Sequence, residues 1–121
     1  MTCRGIRGAI TVEENNVENI KEASNRLLSE MIKRNNISEE DIVSIFFSVT
    51  EDLNATFPAR AAREMGFNHT PLLCFHEIRV PEGLEKCIRI LMHVNSDKSI
   101  QEIEHSYLEK AASLRPDIAK Q

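Results

Sequence analysis

Two apolar runs separated by a turn constrain the fold of this chain more than any other feature. Residues 71–80 and 84–94 both favour strands, and Pro81-Glu82-Gly83 between them is a turn signal typical of a hairpin. A connection of this length does not require the two runs to pair directly. The second run alternates apolar residues onto one face, which predicts a buried strand: Ile88, Ile90, Met92 and Val94.

Each run carries a charged residue that interrupts its apolar pattern. Arg89 lies on the face opposite to the buried one, and Glu77 shares a face with Leu73 and Phe75. A charge in such a run must be paired, reach solvent or line a cavity. In a hairpin with an odd-length connection, Glu77 and Arg89 would share a face. The sequence leaves a structural ion pair, a solvated face and a ligand cavity all open.

The N-terminal half predicts a strand, a helix and a second strand. Residues 3–12 favour a strand, and an apolar stripe follows Asn16, a suitable N-cap, as far as about Arg34. Ser38 can cap a short helical turn. Residues 42–49 form an apolar, β-rich run that is typical of a central strand.

The C-terminal half predicts two helices besides the strands already described. Pro58 suits the first position of a short helix, and Gly66 suits its C-terminal end. Ser99 and Glu102 have capping-box spacing, and a helix ended by Pro116 is expected from the residues at roughly helical spacing that follow: Ile100, Ile103, Tyr107, Ala111 and Leu114. The order of elements predicts an α+β domain with helices packed on a mixed sheet.

Composition limits the classes of function. The 121 residues, 41% hydrophobic and 28% charged, fit one domain over residues 1–121, with a tail from about residue 114 that we expect to be mobile. No segment approaches a transmembrane length and no signal peptide is recognisable, so a cytoplasmic location is expected without a membrane partner. The net charge of −4 disfavours nucleic acid.

The residue types favour the binding of a small anion. Three cysteines without C-x-x-C spacing argue against a disulfide framework or a zinc site, and no phosphate loop is present, so neither a metal nor a cofactor is expected. Several arginines fall in or beside strands and turns, where they can clamp carboxylates: Arg4, Arg7, Arg60, Arg63, Arg89 and Arg115. No candidate base stands out, so an enzyme of this kind would work by positioning and electrostatics.

Five motifs carry a resemblance to a known family. They are Arg4-Gly-Ile-Arg7-Gly-Ala9, Phe57-Pro-Ala-Arg60-Ala-Ala-Arg63, Pro71-Leu-Leu-Cys74-Phe-His-Glu77, Lys86-Cys-Ile-Arg89 and the segment from Tyr107 to Asp117. In this order they resemble the trimeric, barrel-like class of monofunctional chorismate mutases over almost the whole chain. Arg60 stands where lysine is common in this class, and Leu73 stands where a small hydroxyl residue can occur.

The resemblance implies an isomerase that converts chorismate to prephenate by a Claisen rearrangement, on the route to phenylalanine and tyrosine. It implies a homotrimer with a pseudo-α/β-barrel shape, active sites between neighbouring subunits and no cofactor. Arg89 would contact the ether oxygen and a carboxylate, and Arg7 and Tyr107 would hold the side-chain carboxylate. Glu77 and Cys74 would meet the ring hydroxyl.

The resemblance assigns the remaining residues to the walls of the pocket. Phe57 and Leu114 would pack on the carbon skeleton, with Leu73 in one wall. Arg60 and Arg63 would line the rim from the neighbouring subunit, and Arg115 would close over the entrance. Two alternatives are a small-molecule-binding regulatory α+β module and a trimeric imine-deaminase-like enzyme, but neither accounts for all five motifs.

Overall fold

One mixed sheet of five strands organises the chain. In the computed structural model, which describes residues 1–117, the strands are β1 (Thr2–Thr11), β2 (Ile42–Val49), β3 (Leu72–His76), β4 (Cys87–Ser96) and β5 (Ser106–Leu108). Their order across the sheet is β3-β2-β4-β1-β5. β4 is antiparallel to both of its neighbours, whereas β3 and β5 are parallel to β2 and β1. The predicted α+β class with a mixed sheet is confirmed.

Two α-helices, α1 (Val17–Asn35) and α2 (Ala59–Glu64), cover one face of this sheet. The Asn16 side chain accepts a hydrogen bond from the Asn19 N–H at 2.8 Å, which confirms the predicted N-cap of α1. Short 3₁₀ segments lie at Glu39–Asp41, Ile100–Glu102 and Glu109–Ser113. The first of these is the predicted turn, although the Ser38 side chain does not cap it. Neither α-helix is long and apolar enough to cross a membrane.

Gly8 allows α1 to pack closely on β1. A Cβ atom added to Gly8 would lie 2.5 Å from Met31 Sδ and 3.0 Å from Leu27 Cδ1. A Cβ atom on Gly5 would meet only Leu91 Cδ1, at the ordinary contact distance of 3.6 Å. Of these two glycines, only Gly8 is therefore required for the close packing of a helix on β1.

The hairpin suggested by the turn after residue 80 is not formed. β2 lies between β3 and β4 and pairs with both. Because residues 77–86 separate the two strands, this connection is long enough to pass the end of β2. β2 is an interior strand, as its apolar composition indicates, but the central strand of the sheet is β4.

The prediction of a long C-terminal helix is also wrong. The Glu102 carboxylate accepts a hydrogen bond from the Ser99 N–H at 2.7 Å, as capping-box spacing predicts, but only one 3₁₀ turn follows. Residues 106–108 instead form β5, which supplies partners to backbone groups at the edge of β1. That pairing outweighs the helical spacing. Part of the tail that is expected to be mobile, residues 118–121, lies outside the described residues.

The second face of the sheet is largely uncovered. This open face carries Leu73, Phe75 and Leu91, whose side chains are 54%, 48% and 36% exposed. At one corner a small apolar cluster packs against it, formed by buried Ala9, Cys87, Tyr107 and Ala111 with Leu84 and Leu114 at its margin. The protein therefore has one face packed by helices and one face free to contact something else.

Candidate active site

A row of side chains on the open face centres on Arg89. The strand register pairs Ala9 with Arg89 on one side and with Tyr107 on the other, and it pairs Ser48 with Arg89. Paired residues of neighbouring strands project to the same face, so Tyr107 and Arg89 stand in one row, about 10 Å apart across two strand spacings. The alternation predicted for β4 is confirmed, because Ile88 and Ile90 beside Arg89 are buried in the core.

Arg89 and Glu77 form an ion pair. The distance from Arg89 Nε to Glu77 Oε2 is 2.5 Å. The Nε atom is buried, and its N–H does not have hydrogen-bond geometry toward that oxygen or toward any other acceptor among residues 1–117. The pair compensates the charge of the guanidinium, which carries more N–H donors than this one contact uses.

A cavity of about 560 Å³ adjoins this ion pair. Val80 and Leu84 contribute apolar groups to its wall, and its charged lining residues are Glu51, Asp52, Glu77, Arg79, Glu85 and Arg89. This volume lies within the range typical of small-molecule sites.

Arg7 belongs to the same face and is held by a histidine. It stands diagonally from Arg89, since its strand partner is Leu91, two residues further along β4. The Arg7 backbone N–H donates a hydrogen bond to Nδ1 of His105 at 2.9 Å. Burial lowers the pKa of His105, and the guanidinium groups of Arg7 and Arg115 add to this effect. The imidazole is therefore kept neutral, with Nδ1 as an acceptor.

Arg115 lies near Tyr107 at the end of the described chain. Its Nε and Nη2 atoms donate to the Asp117 carboxylate at 3.1 and 2.9 Å. The pKa of Arg115 is raised by this hydrogen bond, and Tyr107 contributes electrostatically. Leu114 packs with Tyr107 in the small cluster. These contacts gather six predicted residues, which we call the arginine set: Arg7, Glu77, Arg89, Tyr107, Leu114 and Arg115.

Cys74 lies on the opposite face of the sheet from Arg89. It packs against the helix-covered core and lines a second cavity, of about 540 Å³, together with Phe57. Burial raises the pKa of the Cys74 thiol, against the smaller opposite effects of the Ala59 backbone and the Arg63 guanidinium. The thiol is therefore protonated at neutral pH and can act as a weak hydrogen-bond donor.

Two arginines of α2 complete this second group. Arg60 Nε donates to the Glu64 carboxylate at 3.0 Å, whereas Arg63 makes no ion pair with any described residue. Phe57 precedes the helix and is 67% exposed. We call these four predicted residues the thiol set: Phe57, Arg60, Arg63 and Cys74. Leu73 stands on the same open face as the arginine set but on the edge strand β3, and we assign it to neither set.

The structure thus divides the predicted site residues between two groups: Glu77 and Arg89 of the arginine set line one cavity, whereas Phe57 and Cys74 of the thiol set line another. Glu77 and Cys74, which were expected to meet the same hydroxyl, lie in separate groups. The sequence did not single out His105 or Asp52, because a lone histidine before a short strand and an aspartate in a polar loop carry no distinctive pattern. Within residues 1–117, no three His, Cys, Asp or Glu side chains are close enough to hold a metal ion.

Comparisons with known proteins agree on one family. Residues 3–118 match the family described as chorismate mutase type I. The chain is 45% identical to the chorismate mutase AroH of Bacillus subtilis (strain 168) over 98% of its own length and 94% of the relative's. It is 47% identical to the chorismate mutase AroH of Thermus thermophilus, with 95% of each chain covered.

A solved structure agrees with these sequence matches. The chorismate mutase from Clostridium thermocellum superimposes with a TM-score of 0.89 at 51% sequence identity. The superposition covers 91% of this chain and 98% of the other.

Proposed function

The chain belongs to the chorismate mutase type I family and is a chorismate mutase, an isomerase of aromatic amino acid biosynthesis, and we propose that its active site is completed between neighbouring subunits of a homotrimer. The arginine set of one subunit would meet the thiol set of the next. A cytoplasmic location and a single domain over residues 1–121 stay predictions.

The chemistry of the reaction defines what the site must supply. The conversion of chorismate to prephenate breaks a C–O bond and forms a C–C bond within one molecule, so it needs no nucleophile. Holding the flexible dianion in its compact conformer can supply up to roughly 7–11 kcal/mol of the barrier reduction. The breaking bond leaves negative charge on the ether oxygen, which a fixed cation stabilises more in the transition state than in the ground state.

The observation that carries the proposal is the Arg89 guanidinium, held beside a cavity by the Glu77 carboxylate. A guanidinium in an otherwise apolar strand calls for acceptors, and it carries more N–H donors than its one ion pair uses. The ether oxygen and a carboxylate of the substrate are suitable acceptors. The Glu77 carboxylate holds the guanidinium in place and accepts the hydrogen bond of the ring hydroxyl.

The remaining members of the arginine set bind the other end of the substrate. Arg7 and Tyr107 hold the side-chain carboxylate, since both lie on the open face near Arg89. Leu114 packs on the carbon skeleton, and Arg115 closes over the entrance. The arginine set thereby offers Arg89 to one end of the dianion and Arg7 with Arg115 to the other, without a general base.

The thiol set is provided by the neighbouring subunit. Cys74 then donates to the ring hydroxyl, Phe57 packs on the carbon skeleton beside Leu73, and Arg60 and Arg63 line the rim. Two features support this arrangement. Arg89 and Cys74 line different cavities of one chain, and the open face leaves Leu73, Phe75 and Leu91 exposed. A ring in which three such faces pack against one another buries this apolar surface and gives the pseudo-α/β-barrel.

Mixing two inactive variants tests the shared site. Arg89→Ala damages the arginine set, and Arg63→Glu damages the thiol set. In trimers reassembled from a 1:1 mixture, about a quarter of the interfaces would combine two undamaged sets, because subunits assort at random around a closed ring. We expect chorismate turnover to return in the mixture. Sites contained within single chains would recover nothing.

A second pair of variants controls for unspecific recovery on mixing. Arg89→Ala and Arg7→Ala damage the same set, so no interface in their mixed trimers holds an undamaged arginine set. This mixture should stay inactive. Recovery in both mixtures would contradict the division of the site between subunits.

A further inference from the structure

The residue that precedes β4 has an unusual backbone conformation. Lys86 has a φ of 47°, in the left-handed region that residues with a Cβ rarely adopt. It lies three positions before Arg89. The conformation of Lys86 sets the direction in which β4 begins and thus the position from which Arg89 extends.

A network centred on Asp52 holds Lys86 in this conformation. Both oxygens of the Asp52 carboxylate accept the Lys86 N–H, at 3.1 and 3.0 Å. The Thr50 hydroxyl donates to the same carboxylate at 2.5 Å and accepts the Cys87 N–H at 3.0 Å. On the other side, the Val12 N–H donates to the Lys86 carbonyl at 2.7 Å. The start of β4 is therefore fixed from both neighbouring strands.

We propose that Asp52 is a positioning residue for Arg89. Asp52 lines the same cavity as Arg89 and Glu77, but its carboxylate is engaged by the Lys86 backbone N–H and the Thr50 hydroxyl. A carboxylate bound to these two donors serves to fix the backbone at the start of β4. This inference rests on the role proposed above for Arg89.

Asp52→Ala with and without a second substitution tests the proposal. We expect kcat to fall by about 10- to 100-fold with a much smaller change in KM, since displacing an oriented group by about 1 Å can cost up to about 10²-fold. Glycine adopts a positive φ without strain. Adding Lys86→Gly to Asp52→Ala should therefore restore most of kcat, a rescue that no direct substrate contact of Asp52 would allow.

Glu51→Ala is the matched control. Glu51 lies in the same turn and lines the same cavity, but its carboxylate pairs with Arg79 at the surface, 3.2 Å away. Its removal deletes a negative charge without touching β4. The kcat of Glu51→Ala should stay within about twofold of the unchanged enzyme, as for other exposed substitutions.

Three outcomes would overturn the proposal: a folded Asp52→Ala enzyme with normal kcat, a lost kcat that Lys86→Gly does not restore, or an equal loss in Glu51→Ala. Should Asp52→Ala not fold, Asp52→Asn, which keeps the size and one acceptor oxygen, takes its place in both measurements. The role of Arg89 is tested separately by its own substitution. Normal kcat after loss of the Arg89 charge would refute the proposed function, whereas normal kcat in Asp52→Ala alone would refute only this inference.

Discussion

Glu77 and Arg89 meet although the strands β3 and β4 are not neighbours. Glu77 follows the end of β3, and its backbone N–H donates to the Val49 carbonyl at 2.8 Å, at the last residue of β2. This contact carries the glutamate past the end of β2 to the Arg89 guanidinium, 2.5 Å from Nε. The ion pair lies at the edge of the cavity, and it depends on where β2 and β3 end and where β4 begins.

Replacing Arg89 by citrulline separates a structural role from a catalytic one. Citrulline keeps the shape and most of the donors but removes the charge. We expect kcat to fall by about 10²–10³ with KM far less affected, as after the loss of one preorganised donor to a developing oxyanion. Steady-state kinetics and thermal unfolding of the same sample measure this. A lower melting temperature with nearly normal kcat would instead assign Arg89 to the fold.

Cys74→Ala should retain substantial activity. Burial raises the pKa of this thiol, so at neutral pH it is protonated and is a poor nucleophile. Its proposed part is one weak hydrogen bond. Turnover of folded Cys74→Ala, compared with Cys74→Ser, measures this contribution. Complete loss of turnover in both variants would contradict a mechanism without covalent catalysis.

Gly8→Ala should destabilise the protein, whereas Gly5→Ala should not. The added methyl at Gly8 collides with Met31 and Leu27 of α1. Overpacking of this kind costs about 1–3 kcal/mol. Urea unfolding at one fixed protein concentration compares the two variants, since assembly makes stability depend on concentration. Equal midpoints for both would show that α1 moves aside without cost.

Stability should fall as the pH drops from 7 toward 5, through His105. The pKa of this imidazole is lowered in the folded protein, first by burial and then by Arg7 and Arg115. The unfolded chain therefore binds a proton more readily than the native state does. Below the ordinary histidine pKa of about 6.5, protonation stabilises the unfolded chain relative to the native state. The contribution of His105 stops changing once the pH lies below its pKa in the folded protein, where both states bind the proton.

His105→Asn provides the control for this pH dependence. Its Oδ1 can take the place of Nδ1 as acceptor for the Arg7 N–H, but it cannot be protonated. Urea midpoints between pH 5 and 8 should change less for His105→Asn than for the unchanged protein. Identical profiles would assign the pH dependence to other groups.

Deleting residues 114–121 should weaken substrate binding more than it harms folding. Leu114 lies at the margin of the small cluster, and Arg115 is predicted to close the entrance. We expect KM to rise while the melting temperature changes little. Arg115→Ala in the full chain shows how much of the rise comes from that one guanidinium. A much lower melting temperature, or an unchanged KM, would contradict this role of the segment.

Local patterns in the sequence determined much of the fold and singled out both residues of the ion pair. The alternation around Arg89 predicts a strand with one buried face, and Asn16 with the apolar stripe after it predicts α1, because side-chain period and capping depend only on residues nearby in the chain. Five short motifs in order also carried the resemblance to the family. These features need no knowledge of distant segments.

Tertiary structure alone decided the order of the strands and the partners of the site. Residues 106–108 became a strand rather than a helix because the edge of β1 offered unpaired backbone groups, and β2 entered between two runs that looked like a hairpin. Asp52 reaches Lys86, and His105 reaches Arg7, over separations of 34 and 98 residues. Such contacts depend on which strands pair across the whole chain, and no local spacing encodes that choice.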